Sequence, residues 1–522
     1  MKGKKMTENG RRQNQNNRQA PQPGKTGIKG HKRMKLGSAL LTVVMLVTLL
    51  SGSLFASVWE QHALDHTNNA VVAFETPVSE QASGLIYKTR VKEGDSWDSV
   101  SNIILSDGYA YVASGRSLLK ISGDGEIAAT AELTGTMNKS IAYADGRIYL
   151  YADADGQGFV EAVDVVNMST VWTSTTIETY QAFSAITISD GMLYVPVSHY
   201  DFANWQTQAP GAILRLDTRS KDENPELEVL FEDPEMTFEN NAIALNAQYL
   251  YIGNRQGDLL AISREHGSVE AKVETGQIIR SAVTTDGQFA YFGTGSGVGS
   301  IELDENGLFV EESLRLLDLG VQSTTPPVVY QNTLFAGTGG FQGGKGLHVI
   351  DTQSMEVLFT AETAGYDNFA DEAIEIAGIQ SSPLLTTAYD DAVYLYYAIN
   401  AVPGSLLMLR YEAGSTDAEA VEIFVPDEAD QNYTGSDIVA DEQGVLYYTN
   451  DAGYLFAVGK VDPAEEAETQ DPEEADENGQ ETIPPTGRLA GSHVVMIMML
   501  VLLTLSLAVA LIFSGKKHHQ NR

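Results

Sequence analysis

Between residues 80 and 460 the chain repeats one pattern of apolar and polar positions. Each copy has an apolar stretch, a turn that is often Asp-Gly, an apolar strand that carries Tyr or Phe, a Gly-rich gap and a second apolar strand. The first copy occupies residues 103–122 and the second occupies residues 141–164. Short runs of β-branched and aromatic residues between Gly and Asp turns predict β-strands, and Asp-Gly supplies the positive φ angles that a tight hairpin needs.

The aromatic position of this pattern occurs eight times. Its copies lie 38 to 59 residues apart, with a mean of 48, and no long pattern of helical period interrupts them. Four short strands fit in that length, which is the size of one propeller blade. We therefore predict an all-β fold, an eight-bladed β-propeller over residues 83–460, with seven blades as the alternative. The eight aromatic positions are Tyr111, Tyr149, Tyr194, Tyr251, Tyr291, Phe335, Tyr394 and Tyr447.

One strand pattern at the N-terminal end of the repeats belongs to no copy. Many copies carry a further apolar strand after the second hairpin arm, as at residues 170–172 and 229–231, but an acidic segment follows the eighth copy directly. The unassigned strand pattern lies at residues 85–91. We predict that it completes the last blade, because closing the ring removes the strand edges that would otherwise be free to pair with other chains.

Two apolar segments flank the repeats. Residues 36–59 carry no charge and follow a basic run, which is typical of a signal peptide or of a signal-anchor helix. Residues 494–513 form a second apolar stretch, long enough for a helix to span a bilayer, before a basic tail. The positive residues outside both segments predict that the two chain ends face the cytoplasm and that the repeats are exported.

A short motif, Ile483-Pro484-Pro485-Thr486-Gly487, precedes the second apolar segment. With the apolar span and basic tail, it resembles the sortase sorting signal of cell-wall proteins, Leu-Pro-x-Thr-Gly, with Ile483 in place of Leu. The resemblance implies that a sortase cleaves between Thr486 and Gly487 and joins Thr486 to peptidoglycan. An ordinary Pro-rich linker before a membrane helix is the alternative.

The composition of the connecting segments completes the predicted domain plan. Residues 461–482 hold ten Asp or Glu and no Lys or Arg, which predicts an extended, disordered stalk. The plan is a basic, disordered cytoplasmic segment at 1–35, the signal or anchor segment at 36–59, a linker at 60–82, the propeller at 83–460, the acidic stalk with the sorting motif at 461–488, a transmembrane helix at 489–515 and a basic cytoplasmic tail at 516–522.

The charge distribution excludes one class of partner. The chain has a net charge of −37, and residues 37–487 alone hold 69 acidic and 18 basic residues. Such a surface repels phosphate backbones, so we expect no nucleic-acid partner. The chain has no Cys, which excludes disulfides and thiolate metal sites.

The repeat resembles that of PQQ-like, or quinoprotein-type, β-propellers. In that family a strand of the form Leu/Val-Tyr-Val/Ile-Gly leads to Leu-x-Ala-Leu-Asp and then to an outer strand that bears Trp. The closest matches are residues 249–263, and residues 162–164 together with Trp172. The resemblance covers residues 83–460 and implies the propeller fold, with WD-repeat and other propellers as alternative relatives.

We expect no catalytic site and no cofactor. Quinone-dependent dehydrogenases of this family use a calcium-held quinone and usually a vicinal disulfide, which a chain without Cys cannot form. One stretch loosely resembles a calcium-binding loop, because acids stand at alternate positions beside a Gly. An Asp/Gly-rich hairpin turn is the alternative interpretation. The calcium candidates are Asp153, Asp155, Glu161 and Asp164.

Three long insertions between strands are candidate ligand-contact loops. Aromatic side chains in exposed loops are good anchors for a sugar ring or a protein partner. We hypothesise that the three loops contribute to one face of the propeller, and the alternative is that the aromatic side chains fold back on its rim. The candidate contact residues are Tyr200, Phe202, Trp205, Phe341, Asp367 and Asn368.

The sequence favours a non-catalytic binding or scaffolding module at the cell surface of a Gram-positive-type bacterium. Its expected partners are the membrane through the terminal helices, peptidoglycan through Thr486, and an extracellular glycan or protein ligand. The alternative is an extracytoplasmic sensor or assembly platform that is permanently anchored by both helices. A quinone-dependent dehydrogenase is the third interpretation.

Overall fold

The repeats fold into eight separate antiparallel sheets, one for each predicted copy, which form an eight-bladed β-propeller. The prediction of eight blades is confirmed and the alternative of seven is wrong. The computed structural model describes residues 59–80, 83–92, 99–178, 180–181, 184–201, 204, 206–340, 343–367 and 373–461.

The strands are short, as the sequence pattern predicts. In chain order they are β1 (Val71–Val72), β2 (Ser83–Arg90), β3 (Ile104–Ser106), β4 (Tyr109–Ser114), β5 (Ser117–Ser122), β6 (Ile127–Glu132), β7 (Thr136–Ala144), β8 (Arg147–Ala154), β9 (Gln157–Asp164), β10 (Ser169–Thr173), β11 (Ile177–Glu178), β12 (Thr187–Ser189), β13 (Met192–Asp201), β14 (Gln206–Asp217), β15 (Glu228–Asp233), β16 (Ala244–Leu245), β17 (Tyr249–Gly253), β18 (Asp258–Ser263), β19 (Val269–Glu274), β20 (Val283–Thr285), β21 (Phe289–Gly293), β22 (Gly297–Glu302), β23 (Arg315–Asp318), β24 (Val328–Tyr330), β25 (Thr333–Gly340), β26 (Gly343–Asp351), β27 (Glu356–Ala361), β28 (Tyr366–Asp367), β29 (Ala373–Ile374), β30 (Leu384–Thr386), β31 (Val393–Ala398), β32 (Leu406–Tyr411), β33 (Ala420–Phe424), β34 (Val439–Ala440), β35 (Leu446–Thr449) and β36 (Tyr454–Lys460). Two 3₁₀ turns lie at Glu311–Ser313 and Glu428–Asp430.

Each blade has four strands, counted here from the innermost outward. Blades 1 to 7 use consecutive strands, namely β3–β6, β7–β10, β12–β15, β16–β19, β20–β23, β24–β27 and β30–β33. Blade 8 combines β34, β35 and β36 from the end of the repeats with β2 from their beginning. The short strand β11 pairs with β9, β1 adds a parallel strand inside blade 7, and β28 and β29 form a small hairpin between blades 6 and 7.

The Asp-Gly pairs form the tight turns that the sequence predicts. In the first hairpin of blade 1, Asp107 and Gly108 have φ angles of 54° and 76°, and Asp145 and Gly146 repeat this in blade 2 with 50° and 77°. Two successive positive φ angles define the two-residue turn whose twist matches that of paired strands. Asp tolerates this conformation and Gly adopts it without a steric penalty, which is why this dipeptide recurs.

Two of the repeated aromatic positions donate a hydrogen bond to the neighbouring blade. All eight lie on the second strand of their blade. The hydroxyl of Tyr149 donates to Thr218 O in blade 3 at 3.5 Å, and that of Tyr251 donates to Gly307 O in blade 5 at 2.6 Å. Both acceptors lie between the third and fourth strands of the next blade, so these two side chains secure blade 2 to blade 3 and blade 4 to blade 5.

The predicted closing strand is confirmed. Strand β2 pairs antiparallel with β36, with Ser83 opposite Lys460 and Arg90 opposite Tyr454. It also contacts blade 1, because the hydroxyl of Thr89 donates to Gly125 O at 2.6 Å. The N-terminal strand therefore joins the last blade to the first.

A second N-terminal element, residues 59–80, lies across the inner strands near their C-terminal ends; we call it the strap. Its main-chain and side-chain groups make at least one hydrogen bond or ion pair with each blade. The contacts are Trp59 with Leu105, Glu60 with Tyr143, Gln61 with Ile188, His66 with Leu245, Thr67 with Thr285, Asn69 with Val329, Ala70 with Leu385 and Glu75 with Lys460.

The strap corrects the sequence interpretation of residues 60–82 as a linker. Within it Trp59 and Ala70 are buried, and Val71 and Val72 form β1. Most of its contacts use main-chain N–H and C=O groups, and every residue except Pro has both of these groups. A segment held in this way needs no periodic apolar pattern, so nothing in the sequence distinguishes it from a linker.

A glycine substitution tests the seal between β2 and blade 1. Gly125 has φ +85°, and a Cβ there would lie 2.6 Å from the ring of Tyr87 on β2. Gly108 has a similar φ of +76° with nothing within 4 Å of its Cβ position. We expect Gly108→Ala to cost about 1–2 kcal/mol of unfolding free energy from backbone strain alone. Gly125→Ala should cost clearly more in denaturant titrations; equal losses would contradict the contact with Tyr87.

Candidate functional site

The inner ends of the blades enclose a funnel that opens on the face opposite the strap. Each inner strand runs from the mouth of the funnel toward the strap, and the next strand returns. The turns between second and third strands and the connections between blades therefore meet at the mouth. The funnel has a volume of about 460 Å³. All eight blades contribute to its lining, among others with Asn102, Lys139, Ala185, Asn240, Ala282, Thr324, Gln380 and Asp437.

A repeated hydroxyl fixes the side chains that line the funnel. In several blades a Ser just before the inner strand accepts a hydrogen bond from an N–H group at the end of the second strand. These pairs are Ser101 with Ala113 at 2.9 Å, Ser281 with Gly293 at 2.6 Å, Ser381 with Ala398 at 2.9 Å and Ser436 with Thr449 at 3.0 Å. Because each Ser is held on its own sheet, the residues beside it have a defined position in the funnel wall.

The strap forms the floor of the funnel. His62 lies among the lining residues, and its Nδ1 lies 2.6 Å from Asp437 Oδ2 of blade 8. Burial alone would raise the pKa of Asp437, but the charge of His62, its hydrogen bond and that of Ser382 hold this pKa below the usual value for Asp. Asp437 is therefore a buried carboxylate that is stabilised in its charged form.

A lysine projects into the same funnel from blade 2. The Nζ of Lys139 donates to Asn240 Oδ1 of blade 4, and its side chain is half-buried. Burial lowers the pKa of Lys139, Arg280 lowers it further, and Asp437 and Glu239 act in the opposite direction. The net effect is a lowered pKa, which means that the surrounding carboxylates do not fully compensate the cost of burying the ammonium group.

A second charged cluster lies beside Asn240. Glu239 forms ion pairs with Arg255 and with Arg280, and accepts a hydrogen bond from Thr207 Oγ1 at 2.8 Å. Burial would raise the pKa of Glu239, but the two guanidinium groups outweigh it and lower the pKa. Two cations thus surround one carboxylate. The Nε of Arg280 is buried without a hydrogen-bond partner among the described residues.

Two of the six predicted ligand-contact residues lie in connections on the face of the funnel mouth. Tyr200 lies near the end of β13, where blade 3 turns from its second to its third strand. Asp367 lies on β28 and pairs with Val402 through two main-chain hydrogen bonds of 3.2 and 3.0 Å, at the corresponding turn of blade 7. Four of the six candidates lie outside the described residues, namely Phe202, Trp205, Phe341 and Asn368.

The four calcium candidates do not converge. Asp155 lies in the turn between β8 and β9, and Asp164 lies at the far end of β9, which at about 3.3 Å per residue separates them by about 25 Å. Asp153 lies on β8 opposite Gly158, beside the turn. Among the residues that the structure describes, no group of three or more His, Asp or Glu side chains is placed to hold a metal ion.

Glu161 has a structural environment instead. It is fully buried and accepts hydrogen bonds from Thr134 N at 2.9 Å, from Thr134 Oγ1 at 3.0 Å and from Thr170 Oγ1. Asp164 likewise accepts from the N–H groups of Val166 and Asn167 in the following turn. These acids stabilise connections within and between blades 1 and 2.

The predicted attachment signals lie outside the described residues. This holds for the apolar segment up to residue 58, for Ile483, Pro484, Pro485, Thr486 and Gly487, and for the apolar stretch at residues 494–513. Within the part of the chain that the structure describes, no helix has the length and hydrophobicity that crossing a bilayer requires.

The residues of the funnel were not identified by sequence reasoning. A signal for them exists, because each copy has a Ser or Asn before its inner strand or, in blade 2, within it, at Ser101, Ser140, Ser184, Asn241, Ser281, Ser323, Ser381 and Ser436. Lys139, Asn240, Arg280 and Gln380 all immediately precede one of these positions. Aligning the repeats on the small polar residue, rather than on the aromatic one, would have placed these side chains at equivalent positions.

Solved structures share this fold at low sequence identity. The quinohemoprotein alcohol dehydrogenase from Comamonas testosteroni is 11% identical, with 83% of this chain and 82% of that chain covered and a TM-score of 0.52. BamB from Moraxella catarrhalis is 13% identical over 72% of this chain and 99% of its own, with a TM-score of 0.49. No protein-family model and no curated protein sequence matches the chain. The likeness to a quinoprotein agrees with the repeat resemblance, and at this identity it shows the propeller fold alone.

The environment of Glu161 yields a stability prediction. Glu161→Gln replaces one acceptor oxygen with an NH₂ group that faces hydrogen-bond donors, so we expect a loss of about 1–3 kcal/mol in the free energy of unfolding. Glu132→Gln, on the exposed face of β6, is the matched control and should change this free energy by less than about 0.5 kcal/mol. Urea titrations of both variants provide the measurement. A Glu161→Gln variant as stable as the control would show that the buried carboxylate is not required.

Proposed function

We propose that this protein is a non-catalytic binding or scaffolding propeller that is attached to the wall or membrane of a Gram-positive-type bacterium and presents its funnel mouth to the surroundings. The mouth is the face where ligand contacts are expected, with an extracellular glycan or protein as the ligand class. Propeller folds serve many functions, so the proposal depends on the site and on the chain ends rather than on the fold.

One observation carries the proposal: both ends of the described domain leave on the strap face. The strap begins at Trp59, beside Leu105 at the end of an inner strand. Strand β36 ends at Lys460, whose Nζ lies 2.8 Å from Glu75 of the strap. The predicted N-terminal apolar segment joins the strap directly, so attachment through that segment holds the strap face toward the envelope. The mouth, with Tyr200 and Asp367 in its connections, then faces outward.

The structure also favours a specific form of the alternative function. Trp59 is the last residue of the predicted apolar segment 36–59 and is already fully buried in the propeller. If this segment stays in the membrane, no spacer separates it from the folded domain. An extracytoplasmic sensor or assembly platform anchored by both helices would have this short connection, which could transmit force or orientation to the funnel floor.

Labelling of single cysteines tests attachment and orientation together. The chain has no Cys, so Gly295→Cys and Glu305→Cys each introduce one thiol. Both positions are exposed and flank β22 of blade 5, Gly295 toward the mouth and Glu305 toward the strap face. The six residues of β22 separate them by about 20 Å.

We expect energy transfer from a fluorophore at Glu305→Cys to a lipid-bound acceptor to exceed that from Gly295→Cys, in full-length protein reconstituted in vesicles.

Fractionation of producing cells distinguishes the two forms of the proposal. Release by wall-digesting enzymes supports sortase attachment through Thr486, and extraction of the intact chain by detergent supports permanent anchoring. Recovery in the cytosolic fraction, or stronger transfer from the mouth position, would contradict the proposal.

A further inference from the structure

The ammonium group of Lys139 lacks an acidic hydrogen-bond partner. Its one hydrogen bond within the described residues goes to the neutral amide oxygen of Asn240. Burying a cation without a paired anion is costly, because the low-dielectric surroundings replace the hydration shell incompletely. A cation in that situation inside an open cavity is available to a ligand that brings the missing negative charge.

The acids around the funnel already have partners. Asp437 accepts from His62, and Ser382 also hydrogen-bonds to it. Glu239 has two guanidinium partners. Burial raises the pKa of Asp451 at the mouth, and the charge of Lys92 acts in the opposite direction. The two acids that act on Lys139, Asp437 and Glu239, are therefore already paired with other groups, while Lys139 hydrogen-bonds only to a neutral amide.

Neutral hydrogen-bond donors line the same cavity as the lysine. The carbonyl oxygen of the Asn240 side chain is occupied by Lys139, and that of Gln380 accepts from Asn400 Nδ2. Among the described residues neither amide nitrogen has a hydrogen-bond partner, and both residues line the cavity. One cation and amide donors within a single cavity suit a planar acceptor that carries a single negative charge, as a carboxylate does.

The shape of the funnel agrees with a small organic ligand. Its volume of about 460 Å³ lies within the range of small-molecule sites, and the strap closes its far end. More than half of the described lining residues are Ser, Thr, Asn or Gln, whose polar groups suit a polar or charged ligand. A phosphate dianion would need more positive charge than one lysine supplies.

We infer that the funnel is a binding site for a small monocarboxylate, whose negative charge pairs with Lys139 and whose oxygens accept from the amide groups of Asn240 and Gln380. This inference rests on the proposed binding function of the mouth face and names the ligand class of its central cavity. It does not depend on how the chain is attached to the envelope.

Calorimetric titration of the full-length protein in detergent at low salt tests this site. The probes are the sodium salts of acetate, lactate and glucuronate, with glucose as the uncharged counterpart of glucuronate and inorganic phosphate as the dianion. We expect at least one carboxylate to bind with a dissociation constant of about 1 mM or below, and glucuronate to bind at least tenfold more tightly than glucose. Phosphate should bind at least tenfold more weakly than the best carboxylate.

Lys139→Met removes the charge and keeps most of the side-chain volume. We expect it to weaken carboxylate binding at least tenfold while the melting temperature without ligand stays the same or rises, since an incompletely compensated cation has been removed. Lys120→Met is the matched control, because Lys120 donates to Val165 O in a turn between the third and fourth strands of blade 2. It should leave the affinity unchanged. Asn240→Ala, which retains the lysine, should weaken binding severalfold.

The opposite results overturn the inference. If no carboxylate binds the wild-type protein, or if glucose and glucuronate bind equally, the funnel is not a carboxylate site. Lys139 would have a purely structural role opposite Asp437 under two conditions. The wild-type protein would bind no carboxylate, and the Lys139→Met variant would lose several degrees of melting temperature. Binding of a glycan or protein at the mouth without any carboxylate in the funnel would overturn this inference alone and leave the proposed function in place.

Discussion

The pairing of β2 with β36 is the interaction on which the rest of the structure depends. Each blade buries its faces against two neighbours, and the first and last blades can do so only if the ring is closed. The closing strand comes from the N-terminal end and completes a sheet whose other strands come from the C-terminal end. It also forms ion pairs through Lys88 with Asp427 and Asp430, and a hydrogen bond to blade 1. Because Lys88 is partly exposed, the strand pairing and its buried side chains contribute more than the ion pairs do.

The strap extends this closure to the central channel. It contacts blades 1 to 7 at their inner strands and blade 8 at Asp437 and Lys460, so the floor of the funnel and the ring of blades are held by the same segment. It brings His62 to Asp437 and directs both ends of the described domain to one face. The N-terminal residues thus have three effects. Strand β2 closes the ring of blades, the strap closes one end of the funnel, and both ends of the described domain leave on the strap face.

Sequence reasoning predicted the blades and the closure of the ring, and it missed the strap and the residues of the funnel. The blade count, the closing strand and the Asp-Gly turns follow from side-chain types that each blade needs, such as Tyr149 against blade 3. The strap could not be predicted, because main-chain hydrogen bonds leave no side-chain pattern.

The funnel residues were missed for a different reason: Lys139 and Asp437 are isolated charges beside a repeated Ser, and only the closed ring brings blades 2 and 8 together around one cavity. The acids at Asp153 to Asp164 illustrate the converse, since closeness in sequence does not bring side chains together along a strand pair.

A cross-link between the two ends of the repeats tests the central claim most directly. Ser83 and Lys460 are directly opposite in the β2–β36 pair, where Cβ atoms lie about 5 Å apart, and the chain contains no other thiol. Mild oxidation of the Ser83→Cys, Lys460→Cys double variant should give a disulfide-linked peptide pair in mass spectrometry of a non-reducing digest. The Ser83→Cys, Glu305→Cys pair, which joins β2 to blade 5, should give none. Failure of the first pair to cross-link, or equal cross-linking of both pairs, would contradict closure of the propeller by its N-terminal strand.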